Sequence, residues 1–317
     1  METIHLSYPL KTEETFPPIS LAIGYFDGVH RGHQAVIQRA RKIAADLGVI
    51  SGVMTFYPHP RDVLGKAKVN QYLTPLPDKL AQFERLGVER VYVMRFDREL
   101  AARSKESFVE DVLLPLQVKG VTVGFNFTFG RGAKGKAEDL ATLGAGRLQV
   151  EVVRPIQHQA LSVSSTRLRQ ALDQGRVEEA CEILGRPYTL RGSVVQGDQR
   201  GRTIGYPTAN LNLDQPFIVP KQGVYVVRVR KGEKVYHGMM NIGVRPTFKE
   251  KEAQRTLEVH LFDVNEDLYG NQLQVEFLHH LRDEVPFDSV DDLIAQLQQD
   301  EQNARSWLDL GKGANRT

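Results

Sequence analysis

The chain has 317 residues with 41 basic and 39 acidic side chains, a net charge of +2, so it lacks the strongly basic surface on which nucleic-acid binders depend. Hydrophobic residues at 41% and charged residues at 25% describe buried cores rather than disorder, and at roughly 150 residues per domain the length suggests two domains. No apolar run approaches the ~20 residues that cross a bilayer, and METIHLSYPLKTEE lacks the layout of a signal peptide. The single cysteine, Cys181, excludes internal disulfides and Cys-rich zinc sites and points to a reducing cytoplasm.

In chain order, ISLAIGYF (19–26) reads as an apolar strand running into a Gly-rich turn. QAVIQRARKIAADLG (34–48) has helical periodicity and stops at Gly48; VISGVMTF (49–56) is a second strand. Pro77 opens a helix over 78–86, RVYVMRF (90–96) is a third strand, and Ser104 caps a helix over 105–114. VTVGFNF (121–127) and LQVEVVR (148–154) are further strands. This alternation predicts an α/β, doubly wound parallel sheet, which binds ligands beyond the carboxyl ends of its strands. A helical run through Cys181 ends at Gly185 and Pro187, placing a domain boundary near Arg186: 1–186 and 187–317.

Beyond it, strands are expected at 188–196, 206–213, 224–231, 234–243, 255–262 and 272–280, with a hairpin turn at KGEK (231–234). That pattern predicts an antiparallel barrel or sandwich. A helix over 288–308 closes the chain, its acidic start suiting the positive end of the helix dipole.

Four segments carry chemistry. In GYFDGVHRGH (24–33), Gly24 and Gly28 permit a tight turn after the first strand, and His30 and His33 flank Gly32 where a helix begins. Helix N-termini attract phosphate, and two imidazoles there can donate to it as charge builds. A metal shared by the two histidines would lack an evident third ligand. In SSTRLR (164–169), Ser164, Ser165 and Thr166 favour a helix N-cap, and Arg169 follows on nearly the same face. In GSVVQGDQRGRTIGYPTAN (192–210), Gly192, Gly197 and Gly201 belong to a loop able to wrap phosphates, Arg202 can reach one, and Thr208 and Asn210 point to one side of a strand, where neutral oxygens suit Mg²⁺ shared with ATP. The fourth, GRGAKGK (130–136), matches GxGxxG and part of a P-loop, with Glu151 at a dinucleotide-like distance. Ala137 replaces the hydroxyl a P-loop needs for Mg²⁺, and AEDLATLGAG is too short for the pyrophosphate-facing helix. An NAD-linked oxidoreductase built on this string remains an alternative.

GYFDGVHRGH resembles the HxGH-type signature of the nucleotidyltransferase superfamily, in the form found in bacterial FAD synthetases. TFYPHP (55–60) resembles that family's second-strand segment, GFNFTFG (124–130) its GxNFxFG segment, and SSTRLR its SSTxIR motif. PTAN closely resembles the riboflavin kinase signature, joined by GVYVVRV (223–229), MNIGVRPTF (240–248) and LEVHLFDVNEDLYG (257–270). The resemblance spans roughly residues 19–310 and is to bifunctional bacterial riboflavin kinase/FAD synthetases.

It implies a nucleotidyltransferase domain followed by a riboflavin kinase barrel. The barrel would phosphorylate riboflavin to FMN, and the first domain would adenylylate FMN to FAD, both with ATP and Mg²⁺. It implies catalytic roles for His30, His33 and Glu258, the last as the base for the riboflavin hydroxyl. ATP and phosphate contacts in the first domain fall on Gly24, Phe26, Asp27, Gly28, Gly32, Asn126, Ser164, Ser165, Thr166 and Arg169. Those in the second fall on Gly192, Gly197, Gly201, Arg202, Thr208 and Asn210. Flavin contacts fall on Phe56, His59, Asn126 and Arg282. The partners implied are small molecules only, with no nucleic acid and no membrane. A flavin-binding regulator without catalysis is the remaining alternative, and the intact polar residues disfavour it.

Overall fold

The computed structural model describes residues 1–11, 15–65, 70–158, 161–197, 201, 204–245, 254–264 and 266–314. The chain forms two compact units, Met1–Ser165 and Thr166–Thr317.

The first unit is built on strands β1 (Glu2–Leu6), β2 (Ile19–Ile23), β3 (Ile50–Tyr57), β4 (Arg90–Arg95) and β5 (Val118–Gly124). A short hairpin follows, β6 (Thr128–Phe129) and β7 (Gly135–Lys136), and then β8 (Gln149–Val153). Six of these make one parallel sheet in the order β1-β4-β3-β2-β5-β8. The chain winds outward from β2 through β3 to β4, then returns to β5 and β8 on the other side of β2. The order therefore reverses between β2 and β5, and their carboxyl ends open the crevice where such sheets bind ligands. Every residue of β2 is buried, as a central parallel strand requires. β1, an edge strand, is not evident in the sequence pattern.

Helix α1 (Arg31–Leu47) lays Val36, Ile37, Ala40, Ile43 and Ala44 on this sheet and ends at Gly48 in the left-handed conformation. It sits so close that a Cβ on Gly120 of β5 would lie 2.6 Å from both Ile43 Cγ2 and Ser20 Oγ. Ser20 in turn donates to the Ala40 carbonyl at 2.9 Å. Shorter helices follow: α2 (Pro60–Val63), α3 (Leu76–Arg85), α4 (Arg98–Ala101), α5 (Lys105–Phe108) and α6 (Ala137–Gly144). Ser104 caps α5 by accepting from the Ser107 amide, and the helix then widens into a π-helical stretch over Val109–Leu113.

A two-stranded ribbon, β9 (Gln157–His158) and β10 (Leu161–Ser162), precedes helices α7 (Ser165–Asp173) and α8 (Val177–Leu184). The compact units divide at the start of α7 because both helices pack with the second unit. The Leu172 carbonyl accepts from the Lys221 amide, Gly175 abuts the Tyr225 hydroxyl, and Glu178 pairs with His279.

The second unit is a closed antiparallel barrel of β11 (Tyr188–Val195), β12 (Ala209–Leu213), β13 (Gly223–Lys231), β14 (Lys234–Arg245), β15 (Gln254–Leu261) and β16 (Gln272–Arg282), in the order β11-β12-β15-β14-β13-β16. Of the two expected all-β architectures, the barrel forms because β16 pairs with both β11 and β13. Lys231 pairs with Lys234 across Gly232 and Glu233, the tight hairpin expected at KGEK, with Gly232 supplying φ +57°. The final helix, α9 (Val290–Ala314), is capped by Ser289, which accepts from the Asp292 amide. Its Ala304, Trp307 and Leu308 pack against Val224, Val226 and Met239 of the barrel.

Gly120→Ala forces a methyl into filled space between α1 and β5. It is expected to destabilise the first unit by about 1–3 kcal/mol, measured as a lower denaturation midpoint in urea.

Candidate active sites in two units

At the switch point, the segment after β2 adopts a conformation that side chains rarely accept. Phe26, Gly28 and Val29 have φ of +56°, +93° and +43°. Gly24 is required beneath it, since a Cβ there would stand 2.9 Å from the Phe26 ring. Buried donors from neighbouring elements hold the turn. The Tyr25 carbonyl accepts from Thr55 Oγ1 of β3 at 3.0 Å and from Lys79 Nζ of α3 at 2.7 Å. Asp27 is buried; its Oδ1 accepts from the Thr74 amide at 3.1 Å, and its carbonyl accepts from Ser165 Oγ at 2.8 Å.

This turn delivers His30 to the N-cap of α1, where its Nδ1 accepts from the His33 amide at 3.2 Å. A neutral His30 therefore carries its proton on Nε2. The two imidazoles stack, centroids 3.6 Å apart and planes 18° from parallel, and the Phe26 ring meets His33 edge-on at 5.3 Å. In-plane lone pairs on parallel rings do not converge on one ion, so the shared-metal reading has no geometric support. Gly32 is needed because a Cβ there would crowd the His30 ring at 3.1 Å. Burial, then the neighbouring charges of His30 and Lys79, hold the His33 ring well below the usual histidine value, so it is neutral at pH 7. Its Nδ1 is buried with no hydrogen-bond partner among the described residues.

Asn126 follows the end of β5, beside the adjacent exposed aromatic Phe125. His59 caps α2 by accepting from the Arg61 amide and packs on Tyr25 with centroids 4.1 Å apart; Phe56 packs on Phe96. Ser164 precedes α7, and Ser165, Thr166 and Arg169 lie in its first turns, where Ser165 and Arg169 share a face. Arg167 of the same motif is ion-paired to Glu179 at 2.7 Å.

The GRGAKGK string does not connect a sheet strand to a phosphate-facing helix. It forms the β6–β7 hairpin, where Gly130 abuts the Lys105 backbone and Gly135 the Phe129 ring, and it leads into the eight-residue α6. Glu151 is ion-paired with Arg39 of α1. The glycines and the acid that suggested NAD thus serve packing.

In the barrel, register aligns the second constellation. Asn210 of β12 lies directly opposite Glu258 of β15, and Glu258 lies opposite Asn241 of β14. Cross-strand neighbours share a face, so the carboxylate sits between two amides. Two glycines lie close to the segment that carries Asn210: a Cβ on Gly197 would fall 2.1 Å from Asn210 Nδ2, and one on Gly201 2.2 Å from the Tyr206 carbonyl. His260 Nδ1 lies 2.9 Å from the Pro207 carbonyl, which can only accept, so the imidazole donates and pins the segment before Thr208. A cleft of about 350 Å³ opens beside Thr208, walled by Val194, Val259, Leu261 and Tyr269 and by the acidic Glu266 and Asp267.

Two sequence candidates differ in setting. Gly192 lies inside β11, paired with Leu213 and Leu273, where it lets the β12 backbone approach; a Cβ would sit 2.2 Å from the Asn212 carbonyl. The Arg282 guanidinium is engaged by buried Asp300 of α9, at 2.7–3.0 Å, and by the Asp283 carbonyl, so it ties α9 to the barrel. Arg202 lies outside the described residues. Sequence reasoning missed Lys79 and Asn241. A register count along the strands could have found Asn241; nothing in LPDKL marks Lys79 as buried.

Both constellations bring hydrogen-bonding side chains together, the first at a helix N-terminus of the kind that attracts phosphate and the second around the Glu258 carboxylate. That combination defines an enzyme that moves phosphorus groups between bound small molecules. Residues 12–167 match the FAD synthetase family and 184–308 the riboflavin kinase family. Proteins described as bifunctional riboflavin kinase/FMN adenylyltransferase are 41% identical in Listeria monocytogenes, over 97% of this chain and 98% of that protein, and 40% identical in Escherichia coli K12, over 93% and 94%. The chain belongs to the bifunctional riboflavin kinase/FMN adenylyltransferase family, with the FAD synthetase part N-terminal and the kinase part C-terminal. A crystal structure described as a macrolide-efflux protein from Streptococcus pneumoniae shares the fold at a TM-score of 0.88 and 36% identity, covering 96% of this chain and 99% of that one. No helix among the described residues is long and apolar enough to cross a membrane.

The His33 ring also makes stability depend on pH. The folded ring resists protonation, whereas the unfolded one titrates near the ordinary histidine value of about 6.5. Below that pH the unfolded state binds more protons, so the folded state loses stability as pH falls. Denaturation at pH 5 and pH 7.5 should show a smaller acid-induced loss in His33→Gln than in the parent protein.

Proposed function

We propose that the family's two reactions run at the two constellations, adenylylation of FMN in residues 1–186 and phosphorylation of riboflavin in residues 187–317. In the first, a phosphate oxygen of FMN attacks the α-phosphorus of ATP. The bond to the bridging oxygen of the β-phosphate breaks, and pyrophosphate leaves with the electron pair. The attacking phosphate is already ionised, so catalysis rests on positioning and charge stabilisation. The α1 amides and the imidazoles of His30 and His33 meet the charge developing on the α-phosphate. Gly24, Phe26, Asp27, Gly28 and Gly32 shape the turn that holds them. Ser164, Ser165, Thr166 and Arg169 are the candidates for the leaving pyrophosphate, and Phe56, His59 and Asn126 for FMN.

In the second, the Glu258 carboxylate accepts the proton of the riboflavin 5′-hydroxyl as that oxygen attacks the γ-phosphorus and ADP departs. The observation that carries this reading is the strand register that sets Glu258 directly between Asn210 and Asn241. The cleft beside Thr208, lined by apolar side chains and the Tyr269 ring together with Glu266 and Asp267, is the candidate for the adenosine part of ATP. The Thr208 hydroxyl and the Asn210 amide oxygen are hard, neutral donors of the kind that hold Mg²⁺ together with phosphates. Bound there, Mg²⁺ would neutralise charge on the ATP phosphates. Gly197 and Gly201 are the candidates to cover the phosphates with backbone, and Arg282, held by Asp300 of α9, remains the candidate beside the flavin. The near-zero net charge and single thiol, Cys181, support a cytoplasmic enzyme working on small molecules without nucleic acid.

Chromatographic assay of riboflavin, FMN and FAD separates the sites. Glu258→Ala should lower FMN formation by about 10²–10⁴-fold while converting supplied FMN to FAD normally. His33→Ala should do the reverse. Loss of both activities in either folded variant would refute the two-site assignment. Withdrawal of Mg²⁺ should stop FMN formation, and restoring it should recover the rate.

A further inference from the structure

We propose that Lys79 is a positioning residue for adenylyl transfer: from beneath the site, its buried ammonium holds the Tyr25 carbonyl and, through it, the strained turn that sets His30 and His33. This deepens the assignment of FMN adenylylation to that turn and rests on it.

Lysine is almost never fully buried without a reason, because removing an ammonium from water is costly. Lys79 is 3% exposed. Its Nζ donates to the Tyr25 carbonyl at 2.7 Å and stands 4.1 Å from the Tyr25 ring centroid, so both faces of that residue are engaged. The next residue, Phe26, has φ of +56°, and Val29, immediately before the His30 cap, has φ of +43°. Such conformations persist only where surrounding contacts over-determine them. Tyr25 is where two elements do so, Thr55 from β3 and Lys79 from α3.

The charge itself matters beyond the hydrogen bond. The titratable groups that face Nζ are Asp27 in the turn and His33 in α1; from β3 the neighbour is the neutral Thr55. Burial pushes the ammonium down to about 8, and Asp27 opposes that shift. Lys79 in turn holds His33 away from protonation. One lysine thereby holds the turn in place and adds to the burial that keeps the His33 ring neutral.

The test uses the full-length enzyme and both of its reactions. Lys79→Met keeps the unbranched stem as far as the ε position but removes donor and charge. It should lower kcat for FAD formation at least tenfold, with KM for ATP changed less than threefold and riboflavin phosphorylation within twofold of the parent. In the parent, kcat/KM for adenylylation should fall as pH rises through about 8, and Lys79→Met should lack that limb. Thr55→Val removes the other donor to the same carbonyl while preserving shape. It should slow adenylylation several-fold, and the double variant should lose less than the product of the two single losses. The proposal falls if Lys79→Met forms FAD at the parental rate, or if Thr55→Val, read independently should Lys79→Met not fold, leaves adenylylation unchanged. His33→Ala run in parallel separates this failure from that of the site itself: if His33→Ala still makes FAD, the assignment of the reaction to the turn is wrong, whatever Lys79 does.

Discussion

The Tyr25 carbonyl is the point on which the first site depends. It accepts two buried hydrogen bonds, from a strand hydroxyl and a helix ammonium, and it precedes a run of left-handed backbone. Without those anchors the turn would relax toward conformations that ordinary side chains prefer, and the start of α1 would rotate its histidines away from the switch point. Asp27 repeats the device one step further along, its carboxylate and carbonyl both tied to donors from other segments. Backbone strain is maintained here by several contacts that share one small stretch of chain.

The barrel solves the same problem by a different route. Its polar row needs no strained backbone, because antiparallel register already brings Asn210, Glu258 and Asn241 to one face. What must be adjusted is the cover. Gly197 and Gly201 bring loop backbone into contact with Asn210 and Tyr206 at distances no side chain would permit. His260, two residues from Glu258 and therefore on the same face, fixes the Pro207 carbonyl just before Thr208. The buried Asp300–Arg282 pair then secures α9, whose Trp307 stacks on His279 at 5.3 Å.

Much of this was legible from residue order. Apolar strands between helical segments implied the parallel sheet, and HRGH marked the first strand–helix junction, where the helix N-terminus carries unpaired amides. Barrel strands and the KGEK hairpin were readable from alternation and turn chemistry. Other features were not. β1 is short and mostly exposed, so its pattern is weak. The expected strand at 206–213 begins only at Ala209, because the Gly201 carbonyl takes the Tyr206 amide and Pro207 has none to give. Gly192 resembled a loop glycine by its spacing from Gly197, yet it serves strand packing. Nothing near Arg282 in the sequence pointed to its partner on a distant helix.

The amino-acid sequence by itself determined the local chemistry: which segments form strands and helices, where glycine allows a turn, and which side chains can donate hydrogen bonds or carry charge. Those follow from propensity, periodicity and side-chain type within a few residues. The tertiary structure decided burial, register and partnership. Lys79 became an interior cation only when α3 packed under the β2–α1 turn, Asn241 joined Glu258 only through pairing of β14 with β15, and Asp300 claimed Arg282 only when α9 closed on the barrel. Solvation and cross-strand neighbours are properties of packed elements, and no window of sequence contains them.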